Sequence, residues 1–321
     1  MSDYGLINDR SPHIIADLCE IICFYEAIPV SRGDIESFIQ SKGGAGLMQE
    51  LTADNDTETN ERIQRLTEDA FQHLLYRAKA FGDWYPFVVN HDVLEVKDPA
   101  TDKHKIYAIF LIDSRLKMLP GADRIRCAAE FEVLCYRALP ALLPNWKTYH
   151  FGKGGLDRNA FGQKLNQALP ALASLLKDDV LSHHVAELGD QNTGDAGVDL
   201  VSVYEWKDGA RGVPAYLGQC AAQQEGWPEK KYEASPHSLE RYMSFFHKPG
   251  TILFIPICYH GPDGKWLDTA AFQTILVDRL RLIELIELRL SDGSLTLAEL
   301  LADVAVVPEP GAFAVAEKEA A

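Results

Sequence analysis

GDAGVDLVSVYEWKDGARGVPAYLGQCA, residues 194–221, holds two short β-rich runs joined by a polar, glycine-bearing turn. Asp195 and Asp199 stand at the head of the first run and Gln219 lies inside the second. Asp199 after the Gly194/Gly197 turn, followed by Gln219 on the next strand, predicts a carboxylate at the mouth of one strand and an amide on its neighbour facing the same small pocket. The second run ends in Ala221.

Outward from this stretch, segment 122–255 reads helix, strand, helix, strand, strand, helix, strand. The stripe Cys127, Phe131, Leu134, Cys135, Ala138 and Leu142 predicts an amphipathic helix over 122–143 despite Pro140, and TYHFG a short strand. A helix over 157–177 is expected to kink at Pro170. SPHSLERYMSFF reads as a proline-started helix, TILFIPICY as a strand, and FQTILVDRLRLIELIELRL as one helix apolar round much of its circumference.

Ahead of residue 119 the chain is mostly helical. Ser11-Pro12 starts a helix with Ile14, Ile15, Leu18, Ile21, Ile22 and Tyr25 on its stripe. Gly33–Gln40 reads as a second helix, broken by KGGAG. A long helix resumes after DND, with Ile63, Leu66, Ala70, Leu74 and Ala78 on one face. FVVN, DVLEV and KIYAIFLI read as three strands of a small meander. LPGAD at 119–123 is the expected boundary, which gives a unit over 1–118, a domain over 119–305 and a flexible Ala/Glu/Pro-rich tail over 306–321. No flexible linker separates the halves, so the two units should pack with little freedom between them.

Composition narrows function less than shape. At 321 residues, 47% hydrophobic and 24% charged, the chain can bury a sizeable core. Lys plus Arg number 31 against 47 acidic residues, a net charge of -16 that repels a polyanion unless a local basic groove, a metal or a partner offsets it. The six cysteines lack the paired spacing of a tetrahedral zinc site and are expected to be reduced. There is no signal pattern and no apolar run of 18 residues, so a cytoplasmic location without membrane contact is expected.

With AAEFEVLC on one helix, GDAGVDLV opening one strand and LGQC closing the next, the chain resembles the PD-(D/E)xK nuclease superfamily, most closely its Mrr-like restriction endonucleases. The resemblance covers roughly the last two thirds of the chain and leaves residues 1–118 unexplained. It implies an α/β fold with a restriction-endonuclease-like mixed sheet flanked by helices, preceded by the mostly helical unit. Carried over by position, Glu132 is the helix carboxylate, Asp199 the metal-binding aspartate and Gln219 the strand amide, with the backbone carbonyl of Cys220 a further oxygen ligand. The implied cofactor is Mg2+ or Mn2+, since hard ions take carboxylate and carbonyl oxygens and activate water for attack on a phosphodiester. Glu130, in register with Arg126, reads instead as a solvated pair.

Ala221 departs from the pattern, because the family places a lysine there. A lysine from elsewhere (Lys153, Lys207, Lys230 or Lys231), a relic that binds without cutting, or a deliberate inactivating substitution would each account for it. The activity implied is metal-dependent DNA cleavage by an effector of bacterial anti-phage or anti-plasmid defence, with a partner such as a helicase or ATPase delivering the DNA. A protein complex or homo-oligomer is expected. The competing reading is a catalytically dead scaffold that docks or oligomerises.

Each element also has a plain structural reading. A glycine turn before a strand is common without a metal, and a buried glutamine is satisfied by any hydrogen bond. His183, His184 and Glu187 share helical spacing but lack a further ligand. FGKGGLD lacks the ending of a phosphate loop, and no GxSxG is present. Trp206, Trp227 and Trp266 are expected to pack against core or rim rather than stack on bases.

Overall fold

A computed structural model of the protein describes residues 12–40, 56–222, 227–230, 232–267 and 274–311. The expected KGGAG break and most of the tail lie outside them.

Helix α1 (Pro12–Glu26) is buried on nearly every side. Its neighbours are α2 (Arg32–Gln40), α3 (Asp56–Phe81), and a small sheet in which β1 (Val30–Ser31) and β2 (Phe87–Asn90) flank the central β3 (Val93–Val96). The apolar stripe of α1 was legible. Its buried acids were not: Asp17 and Glu20 are fully buried and face Arg77 of α3 at 2.7 and 2.6 Å. Arg279, from the far end of the chain, lies 3.1 Å from Asp17. The arginines hold the Asp17 carboxyl below its ordinary range despite its burial. Tyr85 and Tyr107 hydroxyls donate to Glu20.

The third expected strand of the meander is a helix, α4 (Asp102–Asp113). Thr101 caps it, accepting from the His104 N–H, while the His104 ring accepts from the Thr101 N–H. Residues 106–111 are all buried, so neither a period of two nor of 3.6 shows in their composition.

Helix α5 (Gly121–Leu142) carries Pro140 in its last turn and leads into a five-stranded sheet. Its strands are β4 (Lys147–His150), β6 (Leu200–Val203), β7 (Ala215–Cys220), β9 (Gly250–Phe254) and β10 (Ile275–Val277), in spatial order β10-β9-β7-β6-β4. The pairs β4/β6 and β6/β7 are antiparallel, and β7/β9 and β9/β10 are parallel. A short antiparallel pair, β5 (Asp179–Val180) with β8 (Met243–Ser244), stands apart. The architecture is mixed α/β with a mixed sheet flanked by helices.

One face of the sheet, with Leu200, Ile252 and Phe254, shares a core with α5, α1, α3 and α4. That core therefore takes residues from both sides of the expected boundary at 119. The other face, with Val201, Val203 and Leu217, packs on α6 (Arg158–Phe161) and α7 (Leu165–Leu176).

Three other elements differ from expectation. The helix over 157–177 is divided at Gly162, whose φ of 93° favours glycine, and Pro170 lies inside α7. SPHSLERYMSFF forms only one turn, α10 (Pro236–Leu239), capped by Ser235 and followed by β8; the short α8 (Ser182–Ala186) and α9 (Trp227–Lys230) precede it in the chain. The long apolar segment over 272–290 contains a strand-to-helix junction: β10 ends at Val277 and Asp278 caps α11 (Arg279–Ser291) by accepting from the Arg281 N–H. A last helix, α12 (Leu297–Ala302), opens with a Thr296/Glu299 capping box. Among the described residues no helix is long and apolar enough to cross a membrane.

Candidate active site

Beyond Leu200↔Gly218, the last pair in the β6/β7 ladder, the two strands are joined through a side chain. The Asp199 N–H donates to the Gly218 carbonyl, and Asp199 Oδ2 accepts from the Cys220 N–H at 2.6 Å. The carboxylate thus fills the gap where the strands part, beside the Gln219–Cys220 peptide.

The turn before it is fixed by its own chemistry. Ala196 and Gly197 have φ of 58° and 78°, and Asp195 accepts from the Gly197 and Lys153 N–H groups. The buried Arg158 donates to the Gly194 and Phe151 carbonyls. A Cβ on Gly197 would stand 2.7 Å from the Cβ of Glu233, so glycine is needed for the close approach of the segment after α9.

Glu132 reaches the gap from α5. The backbone of Gly152, which donates to the Asp199 carbonyl, passes between the two acids. A Cβ there would lie 2.9 Å from Glu132 Oε2 and 3.4 Å from Asp199 Oδ1. A side chain at 152 would push the Glu132 carboxylate aside while only touching Asp199. Asp199 is 5% exposed, and burial together with the Glu132 charge pushes its carboxyl well above the ordinary range. The Cys220 N–H and the Lys230 ammonium pull the other way. Glu130, by contrast, faces Arg126 at 3.7 Å and accepts from the Ala305 N–H.

Gln219 is on the neighbouring strand, 7% exposed, and its Oε1 has no hydrogen-bond partner. Strand alternation places it with Leu217 and Ala221, whereas Cys220 packs toward α5. The sheet therefore brings Asp199, Glu132 and the Cys220 backbone into one cluster, and sets the Gln219 amide on the other face of the strand that borders it. Ala221 is 2% exposed in an apolar cluster with Trp227, Leu253 and Leu276.

One neighbour escaped the sequence reading. His150, at the end of β4, has its Nε2 3.2 Å from Glu132 Oε2, stacks on Tyr136 and donates its N–H to Asp157. A histidine in TYHFG carries no spacing signal, because its partner lies on a helix well before it. Lys230, one of four cations considered from the sequence, lies near enough to Asp199 to affect its charge and pairs with Glu233 at 2.8 Å. Lys153 contributes only its backbone N–H to Asp195 in the described contacts, Lys207 lies in the turn before β7, and Lys231 is outside the described residues. His184 pairs with Glu187 on the surface at 3.6 Å.

Among the tryptophans, Trp227 and Trp266 pack on Tyr259, and Trp206 is half-exposed beside Tyr204. Comparison with protein-family models, with curated proteins and with solved structures gives no match for this chain.

Proposed function

We propose that the protein is a metal-dependent phosphodiesterase with a restriction-endonuclease-like core, acting on DNA as a defence effector whose partner, a helicase or ATPase, supplies the grip that a net charge of -16 denies it. The observation that carries this reading is the paired acids: Asp199 and Glu132 each bring a carboxylate oxygen beside the backbone of Gly152, and the Glu132 charge acts on the buried Asp199 with too little positive charge to offset it. Two carboxylates held this close, one of them buried, form a site whose electrostatic demand a divalent cation meets. The helix–strand–strand–strand order of α5, β4, β6 and β7, with β9 parallel to β7, agrees with the fold the resemblance implies.

The donor set fits magnesium or manganese: carboxylate oxygens from Asp199 and Glu132 and the Cys220 carbonyl, with waters to complete the shell, while the Gln219 amide lies on the other face of the strand and is left out of it. When bound, such an ion supplies Lewis-acid stabilisation and an activated water. Asp199 is aimed by the Cys220 N–H, and Glu132 is held by His150. Lys230 takes the part of the family lysine, offsetting charge that develops on the phosphate, from α9 rather than from β7.

The dead-scaffold reading is favoured by one observation, the burial of Ala221 against Trp227 and Leu253, which leaves the strand itself no room for a cation. Plasmid nicking separates the two. Purified protein with Mg2+ or Mn2+, alone and with the products of neighbouring genes, is expected to nick supercoiled DNA, and Asp199→Asn to abolish it. Uncut plasmid under every metal and partner condition supports the scaffold.

A further inference from the structure

We propose that Cys258, His260 and Asp278 form a second metal site, selective for zinc, distinct from the Asp199 cluster. The three are buried, and one ligand atom from each lies within 4.8 Å of the others. Cys258 Sγ is 3.8 Å from His260 Nδ1, and Nδ1 is 3.1 Å from Asp278 Oδ2. Around a tetrahedral ion with bonds of about 2.0–2.3 Å, neighbouring donors stand about 3.3–3.7 Å apart. The side chains are therefore close to ligating positions already.

The donor chemistry differs from that of the first site. Thiolate, imidazole and one carboxylate suit a borderline-soft ion such as zinc, while magnesium prefers an all-oxygen shell. Topology agrees as well. Residues 255–260 run off the carboxyl end of β9, and Asp278 follows the carboxyl end of its parallel neighbour β10, where open α/β sheets place their ligands.

One nitrogen serves two partners here. His260 Nδ1 faces both the thiol and the carboxylate, yet it holds at most one proton, which can point to only one of them. An ion in that place bonds all three at once: the thiol gives up its proton to solvent, and the imidazole binds through an unprotonated Nδ1 with its single proton on Nε2. The remaining contacts of Asp278 resemble the outer support of a metal ligand: the Arg281 N–H donates to Oδ1 and the Tyr259 N–H to Oδ2, fixing the carboxylate without the ion. The His260 ring is held near Trp266 and Tyr76, with centroids at 4.8 and 5.6 Å. Among the described residues three donors converge, which leaves the fourth tetrahedral position to another ligand.

The test uses the full chain, stripped with chelator and titrated with Co2+ as a spectroscopic substitute for zinc. The expected result is one equivalent that develops a thiolate-to-cobalt charge-transfer band and strong tetrahedral visible bands, displaced by Zn2+, with any cobalt at the all-oxygen Asp199 cluster adding only weak bands. Cys258→Ser should remove the charge-transfer band, and His260→Gln should weaken binding at least tenfold. Asp199→Asn should leave the charge-transfer band unchanged, so failure at one site is distinguishable from failure at the other. No thiolate band at saturating cobalt in the wild-type protein, or a band that survives in folded Cys258→Ser, overturns the proposal. Should Cys258→Ser fail to fold, the wild-type spectrum together with that of His260→Gln decides: a charge-transfer band lost or weakened in His260→Gln supports the site, and one left unchanged overturns it.

Discussion

Replacing Asp199 by Asn should make the protein more stable, and the gain should depend on pH. Asn keeps an oxygen to accept from the Cys220 N–H while removing a charge that faces Glu132. The two carboxylate oxygens lie within 2.9 and 3.4 Å of one point, so they are at most about 6 Å apart. Two unit charges at that separation repel by on the order of 3 kcal/mol at an effective dielectric of 20. Cys220 and Lys230 offset part of this, leaving an expected gain of about 1–3 kcal/mol, or about 2 °C in Tm per kcal/mol for a chain of this size.

The sign follows from linkage. The folded carboxyl of Asp199 is raised above its unfolded value, so below about pH 4 both states are protonated and there is no penalty. As pH rises the unfolded state ionises freely while the folded state resists, and the wild-type penalty grows until the folded group ionises too. Thermal unfolding of both proteins in EDTA, from pH 4 to pH 8, should show curves that meet at the acid end and separate above it. Manganese should then stabilise the wild type and leave Asp199→Asn unchanged. A variant less stable than wild type by the same amount at every pH would refute the electrostatic account of this site.

Lys230→Ala should retain manganese binding and lose about 10²–10³ in nicking rate, read from single-turnover plasmid assays; an unchanged rate removes Lys230 from the reaction. Ala221→Lys should lower Tm, because a long stem among Trp227, Leu253 and Leu276 over-packs that cluster at a cost of about 1–3 kcal/mol. Equal stability with faster cutting would return the cation to its family position. Gly152→Ala places a Cβ 2.9 Å from Glu132 Oε2 and is expected to weaken manganese binding about 10–100-fold by calorimetry. Arg77→Met removes the guanidinium nearest both Asp17 and Glu20 and should cost about 3–5 kcal/mol in urea unfolding.

The elements nearest the site were legible because their signals are local. The stripe of α5, the apolar runs of β6 and β7 and the glycine turn at 194–197 each lie within a few residues of sequence. Elements buried on all sides were harder: α4 has no polar face to set a period, and the apolar run through Ile275, Val277 and Leu282 hides the point where strand becomes helix. Asp278, which makes that junction, looks like one more charge in the sequence, and its partners Cys258 and His260 lie 20 and 18 residues before it. Within the candidate site, Asp199 and Glu132 were readable from motif order. His150 was not, since its role comes from the packing of β4 on α5. Nor was the offset of Gln219, because whether a strand residue faces a gap depends on how the neighbouring strand leaves the ladder. Asp17, Glu20, Arg77 and Arg279 show the same limit: charges scattered through the sequence become one buried network only after folding.

Anomalous diffraction from crystals soaked in manganese tests the central claim most directly. The account predicts a peak within about 2.1–2.3 Å of an oxygen from both Asp199 and Glu132, absent from Asp199→Asn crystals grown the same way. A saturating soak that leaves the gap beside Gly152 without a peak, from protein that also leaves plasmid uncut, would contradict it.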